Sequence, residues 1–135
     1  MVYLTRREHF NAAHRLHCNH WTAEKNEEVF GKCANKNWHG HNYEIYVTVA
    51  GEPNPDTGFV INAKELSKLI QEVIVNKLDH RNLNIDVDFI PKDMQPSTEN
   101  VVICIWNELK PHIKGCKLHC IKLQETDNIY AEYYG

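Results

Sequence analysis

Three histidines suggest the chemistry of this chain: His39 and His41, which bracket Gly40, and His14 in Ala12-Ala13-His14-Arg15. His39 and His41 stand two residues apart, so an extended strand sends both imidazoles out of one face. Gly40 between them carries no side chain and permits a close neighbour. With His14 arriving from an adjacent strand, three neutral nitrogens can hold a Zn²⁺ and leave a fourth position open. Three protein ligands with a vacancy describe a catalytic zinc, whereas structural zinc is usually held by four.

An isolated His-x-His pair more often marks ordinary polar strand positions than a metal site, and the chain has 9 histidines. His9, His17, His20, His112 and His119 lack a partner at metal-ligand spacing and read as surface or loop residues. A rival set, Cys18 and Cys33 with His39 and His41, would make a structural site. Its histidines lie closer together than the usual finger pattern requires. Cys33 itself sits in a polar Asn- and Lys-containing loop between Phe30-Gly31 and the histidine pair, surroundings that suit a reactive thiol. Cys104, among Val101, Val102, Ile103 and Ile105, reads as core packing, and Cys116 and Cys120 as strand or turn residues.

These side chains need a scaffold, and 135 residues are enough for one domain with a real hydrophobic core. Apolar residues make up 42% and charged residues 24%, ordinary values for a globular protein. Acidic side chains outnumber basic ones by 18 to 15, with no basic stripe, which argues against nucleic acid or an anionic membrane as main partner. A phosphate-bearing small molecule remains compatible, since a few local cations suffice. The 5 cysteines and the lack of an apolar leader favour a reducing cytoplasm with free thiols. No Gly-rich nucleotide fingerprint is present.

A β-prone segment from Val2 reads as a first strand ending at His14. The polar stretch from Leu16 to Asn37 contains a short helical pattern at 22–28, and a connection that long is usually functional. Tyr43, Ile45, Val47 and Val49 alternate with Glu44, Tyr46, Thr48 and Ala50, a half-buried strand that starts at the histidine pair. After the turn cluster Glu52–Gly58, Asn62 with Glu65 marks a helix start, and Leu66, Leu69, Ile70, Val73 and Ile74 form its buried stripe. A second helix begins at Ser97-Thr98-Glu99, buries Val101, Val102, Ile105, Trp106 and Leu109, and is limited by Pro111. Strands at 117–125 and 129–133 close the chain around Thr126-Asp127-Asn128. The order strand, strand, helix, helix, strand, strand predicts an α+β domain: a four-stranded antiparallel sheet (ββααββ) covered on one face by two helices.

Two more features have both a plain and a chemical reading. Asp79-His80 is either a charged helix terminus or a relay in which Asp79 orients a proton-carrying His80. Glu125 is either a solvated strand-end carboxylate or a buried acceptor for paired N–H groups of a heterocycle. In chain order, Phe10-Asn-Ala-Ala-His14-Arg-Leu16, Phe30-Gly-Lys-Cys33, His39-Gly-His41-Asn-Tyr43, Asp56-Thr-Gly58, Leu78-Asp79-His80-Arg-Asn-Leu83, Ser97-Thr98-Glu99-Asn100 and Glu125-Thr-Asp-Asn128 together resemble the 6-pyruvoyltetrahydropterin synthase family. The resemblance spans essentially all of residues 1–135.

The resemblance implies the tunnelling fold, trimeric barrels that pair into a homohexamer, and active sites between subunits. It implies a carbon–oxygen lyase that converts 7,8-dihydroneopterin triphosphate to 6-pyruvoyltetrahydropterin with loss of triphosphate. In it, His14, His39 and His41 hold a Zn²⁺ in each subunit, Cys33 is the general base, and Asp79 and His80 complete the proton-handling set. Glu125 anchors the pterin, Thr98 and Glu99 line the same pocket, and a Mg²⁺ requirement stays open. Asn11, where many relatives have Ser, and Trp38, where smaller residues are common, depart from the pattern without touching a ligand. A sister branch, the 6-carboxytetrahydropterin synthases, usually has a shorter spacing between its Cys and His-Gly-His than this chain has from Cys33 to His39. A non-catalytic module braced by zinc is the remaining alternative.

Overall fold

β1 (Val2–His14) and β2 (His39–Gly51) pair antiparallel without interruption from Val2 opposite Gly51 to His14 opposite His39. That register gives the sheet its orientation. Phe10, Ala12, Tyr43, Ile45, Val47 and Val49 are all buried, on the face where the side-chain period of two places them together. The structure, a computed structural model, describes residues 1–135.

α1 (Ala23–Phe30) follows in the long connection, capped by the Thr22 side chain accepting from Lys25 N, and runs into a 3₁₀ turn at Gly31–Ala34. α2 (Ala63–Ile70), a π turn (Gln71–Val75) and α3 (Asn76–Leu78) form one continuous helical segment. The Asn62 side chain caps it as expected, accepting from Lys64 N at 2.9 Å. The π turn lets Val73, Ile74 and Val75, three apolar residues in a row, all reach buried positions. α4 (Thr98–Leu109) starts at Ser97 and buries Val101, Val102, Ile105, Trp106 and Leu109. β4 (Lys117–Thr126) and β5 (Ile129–Tyr133) complete the chain.

The sheet differs from the predicted four antiparallel strands. A two-residue strand, β3 (Arg81–Asn82), pairs parallel with Ala12–Ala13 of β1, giving a mixed five-stranded sheet in the order β3-β1-β2-β4-β5. The sequence Arg81-Asn82 has no apolar alternation to announce it; β3 exists because the backbone of β1 offers it partners. α1 adds a third helical element, beyond the two expected to cover the sheet. Gly40 is not needed for close packing within the chain, because a Cβ there would make only ordinary contact with the Ala12 carbonyl oxygen, at 3.5 Å.

Candidate metal centre

The same odd-numbered row of β2 that contributes Tyr43, Ile45 and Val47 to the core continues to His41 and His39 at its N-terminal end. His14 lies directly across from His39. On β4, Ile121 and Leu123 face the core, and Glu125 continues their alternation to the same end. Three core rows therefore change from apolar to polar at one point. Ligand atoms of His14, His39, His41 and Glu125 all lie within 4.8 Å of one another there.

The nitrogens in this cluster have the state a metal needs. His14 is 1% exposed, and its Nδ1 donates to the Pro96 carbonyl at 2.8 Å, which leaves the Nε2 lone pair free. The Tyr43 hydroxyl stands 3.4 Å from the same Nδ1. His14 Nε2, His41 Nε2 and both ring nitrogens of His39 are buried without a hydrogen bond. His41 Nε2 does lie 2.8 Å from Glu125 Oε1, and His14 Nε2 lies 3.5 Å away, but neither is aligned to donate. Unpaired buried nitrogens are costly, and convergent lone pairs satisfied by a cation remove that cost. Three imidazoles fit Zn²⁺ in type and number and leave a fourth position open, with the Glu125 carboxylate beside it.

Burial first, then repulsion from the neighbouring rings, lowers the His39 pKa below the usual imidazole value. Burial also lowers that of His41, against the opposing pull of Glu125. Both are thus kept neutral, as ligation requires. With protonated rings beside it, the Glu125 carboxyl is held well below the usual carboxylate range, first by His14 and further by the Thr98 hydroxyl and His41, against the upward push of burial; a cation on the neutral rings would supply the same pull. Burial, followed by the charge of Glu125, pushes the Tyr43 phenol well up, so it stays protonated.

The other predicted residues are distributed differently. Thr98 is 3% exposed and its hydroxyl donates to Glu125 Oε2, which ties α4 to the cluster. Glu99, one residue on, is exposed and makes no hydrogen bond or ion pair. Cys33 lies half-buried in the 3₁₀ turn, with its carbonyl accepting from Leu16 N at 2.9 Å and its thiol outside the four-residue cluster. Cys18 is outside it too, so the rival set of two cysteines and two histidines is not assembled. Sequence reasoning had Glu125 as a heterocycle anchor and missed its place among the histidines; the alternation Ile121, Leu123, Glu125 was the available signal.

Asp79 and His80 follow α3 and are fixed to β1 rather than to the cluster. Asp79 Oδ1 accepts from Asn11 N at 2.8 Å, and His80 N donates to the Asn11 carbonyl at 2.6 Å. His80 Nδ1 lies 2.9 Å from Asp79 Oδ2. The Asn11 amide first, with His80 helping, holds the Asp79 carboxyl below its usual range. His80 has φ of +60°, in the left-handed region; Trp38, just before His39, has φ of +69°. Few residues other than glycine adopt that region, and such positions concentrate at functional sites. His80, Gly40 and His41 border one groove on the rim of the sheet.

The 6-pyruvoyl tetrahydropterin synthase family model matches residues 3–135. The chain belongs to this family. The 6-pyruvoyl tetrahydrobiopterin synthase of Pongo abelii is 44% identical over 132 residues, covering 98% of this chain and 90% of that protein. The solved 6-pyruvoyl tetrahydropterin synthase of Caenorhabditis elegans superposes with a TM-score of 0.91 at 38% identity, covering 99% of this chain and 95% of that one. The fold is thus the tunnelling fold expected from the resemblance, with the mixed five-stranded sheet described above. At lower identity, 32% in each case, the family also reaches the 6-carboxy-5,6,7,8-tetrahydropterin synthase of Bacillus subtilis (78% of this chain and 73% of that protein) and the dihydroneopterin monophosphate aldolase of Pyrococcus furiosus (93% of this chain and 91% of that protein).

Proposed function

We propose that the chain is a zinc-dependent lyase that converts 7,8-dihydroneopterin triphosphate to 6-pyruvoyltetrahydropterin and releases triphosphate. The observation that carries this is the convergence of His14, His39 and His41, with unpaired nitrogens, beside the Glu125 carboxylate. When bound, Zn²⁺ would supply a Lewis acid for substrate oxygen. Cys33, as thiolate, takes the carbon-bound proton of the substrate side chain. His80, oriented by Asp79, carries protons to and from solvent on the groove side. Glu125, with Oε2 held by Thr98, presents a charged carboxylate to an N–H pair of the pterin ring.

Assembly into trimers and then a hexamer accounts for features a lone chain leaves open. β5 is an edge strand with exposed Ile129 and Tyr130, and β3 at the opposite edge is only two residues long. Exposed strand edges favour pairing with another chain, and a barrel of three sheets would cover both. Cys33 and the Asp79-His80 pair then need not meet within one subunit. No helix is long and apolar enough to cross a membrane.

A second reading is the carboxy branch, favoured by the Bacillus subtilis relative and disfavoured by the longer Cys33–His39 spacing. Mass spectrometry of the product from zinc-loaded protein and 7,8-dihydroneopterin triphosphate separates the two. A 6-pyruvoyl product with free triphosphate supports the proposal. A 6-carboxy product with acetaldehyde moves the chain to the other branch, and no turnover with zinc bound leaves the non-catalytic module.

A further inference from the structure

The turn that carries Cys33 also frames a cavity of about 600 Å³ outside the metal cluster. Arg15, immediately after His14, folds back onto this turn. Its Nε donates to the Ala34 carbonyl at 3.1 Å, and its Nη2 lies 3.2 Å from His17 Nδ1. Backbone contacts fix its position: Arg15 N donates to Asn84 Oδ1 and Leu16 N to the Cys33 carbonyl, both at 2.9 Å. Lys32 and Lys36 complete the rim, with Glu27 as the one carboxylate. Arg15, Lys32 and Lys36 make none of the chain's ion pairs. Three unpaired cations, one of them on the half-buried and tethered Arg15, thus outnumber the single carboxylate around one cavity.

The geometry points to a subsite for a phosphate chain, in which Arg15, Lys32 and Lys36 hold the polyphosphate tail of the substrate. This rests on the lyase reading above. The guanidinium suits a forked contact to phosphate oxygens, and the two ammonium groups act as point charges further along. Three cations spread round a cavity of this size match several linked phosphates rather than one. The subsite adjoins both halves of the active site through the chain itself: Arg15 follows the metal ligand His14, and Cys33 sits between Lys32 and Ala34. One relative is named for a monophosphate substrate. The lining of this cavity would set which chain length is accepted.

The double variant Lys32→Ala/Lys36→Ala tests this, because both side chains are exposed and neither lysine belongs to the histidine–glutamate cluster. Inorganic tripolyphosphate and orthophosphate are titrated into zinc-loaded protein by calorimetry, with zinc content checked before and after to exclude chelation. Tripolyphosphate should bind more tightly than orthophosphate, and the variant should weaken it about ten-fold or more, the size of one or two charged contacts. KM for the triphosphate substrate should rise by a similar factor, well beyond any change in kcat, while Glu27→Gln should tighten tripolyphosphate binding. Unchanged tripolyphosphate affinity and KM in the double variant would overturn the subsite while leaving the lyase intact. Weakened tripolyphosphate binding in a protein that turns nothing over would keep the subsite and remove the reaction.

Discussion

His14 and His80 are both positioned through Nδ1, yet they belong to opposite kinds of site. His14 is 1% exposed and held by a neutral carbonyl at the end of a long antiparallel register. The His80 side chain is 79% exposed and held by a carboxylate, on a left-handed turn that follows a short helix. The first arrangement leaves a lone pair aimed into a buried cluster; the second leaves a ring nitrogen facing solvent. Burial and strand register alone thus bring the four-residue cluster together within one chain. The pair proposed to handle protons is built at the surface, where the proposed assembly would bring a second subunit.

Breaking the buried half should have the largest effect. His39→Ala removes one of three nitrogens that no other side chain replaces, and zinc affinity should fall by more than about 100-fold, the upper range for merely losing an outer-shell partner. Metal analysis after gel filtration checks this, and turnover should vanish with the zinc. On the exposed half, Asp79→Asn should lower kcat by about 10²-fold, within the usual range for general acid–base groups, while zinc content stays at the wild-type level. Zinc loss in that variant would mean that the two halves are not separable.

Smaller changes sharpen the contrast. Thr98→Val removes the hydroxyl that holds Glu125 Oε2 and should weaken pterin binding about ten-fold with the metal retained, as read by fluorescence titration. Because burial lowers the His39 and His41 pKa values, protons compete for these nitrogens only below the usual 6.5. Zinc should therefore stay bound as pH falls past 6.5 and be released at lower pH, measurable by stepwise dialysis. Away from the site, burial pushes Glu8 up, but donation from Ser67, Arg6 and Gln71 outweighs it and the net pKa is lowered. Its contribution is therefore complete above pH 4.5 and lost as pH falls through the depressed folded value. Glu8→Gln should cost about 1–3 kcal/mol in a denaturation experiment at neutral pH.

The metal half was legible in the sequence because it follows side-chain period. Two histidines at i and i+2 with a third across a strand pair need only an antiparallel register, and the β2 alternation announces it. Both covering helices were legible through Asn62, Ser97 and their apolar stripes. β3 was not, since Arg81 and Asn82 pair through backbone alone. The location of the Cys33 thiol was not legible either, because it depends on how α1 and its 3₁₀ turn close onto Leu16, a contact far from any periodic pattern. Glu99, beside the buried Thr98, stands exposed on the first turn of α4, a difference that the helical period sets and the shared Ser97-Thr98-Glu99-Asn100 motif does not.

The most direct test of a separable metal half and proton half is Cys33→Ala, with zinc content and turnover measured on the same preparation. Full zinc occupancy with turnover reduced by at least about 10²-fold is the predicted result. Loss of zinc along with turnover would make the thiol a ligand and contradict the division.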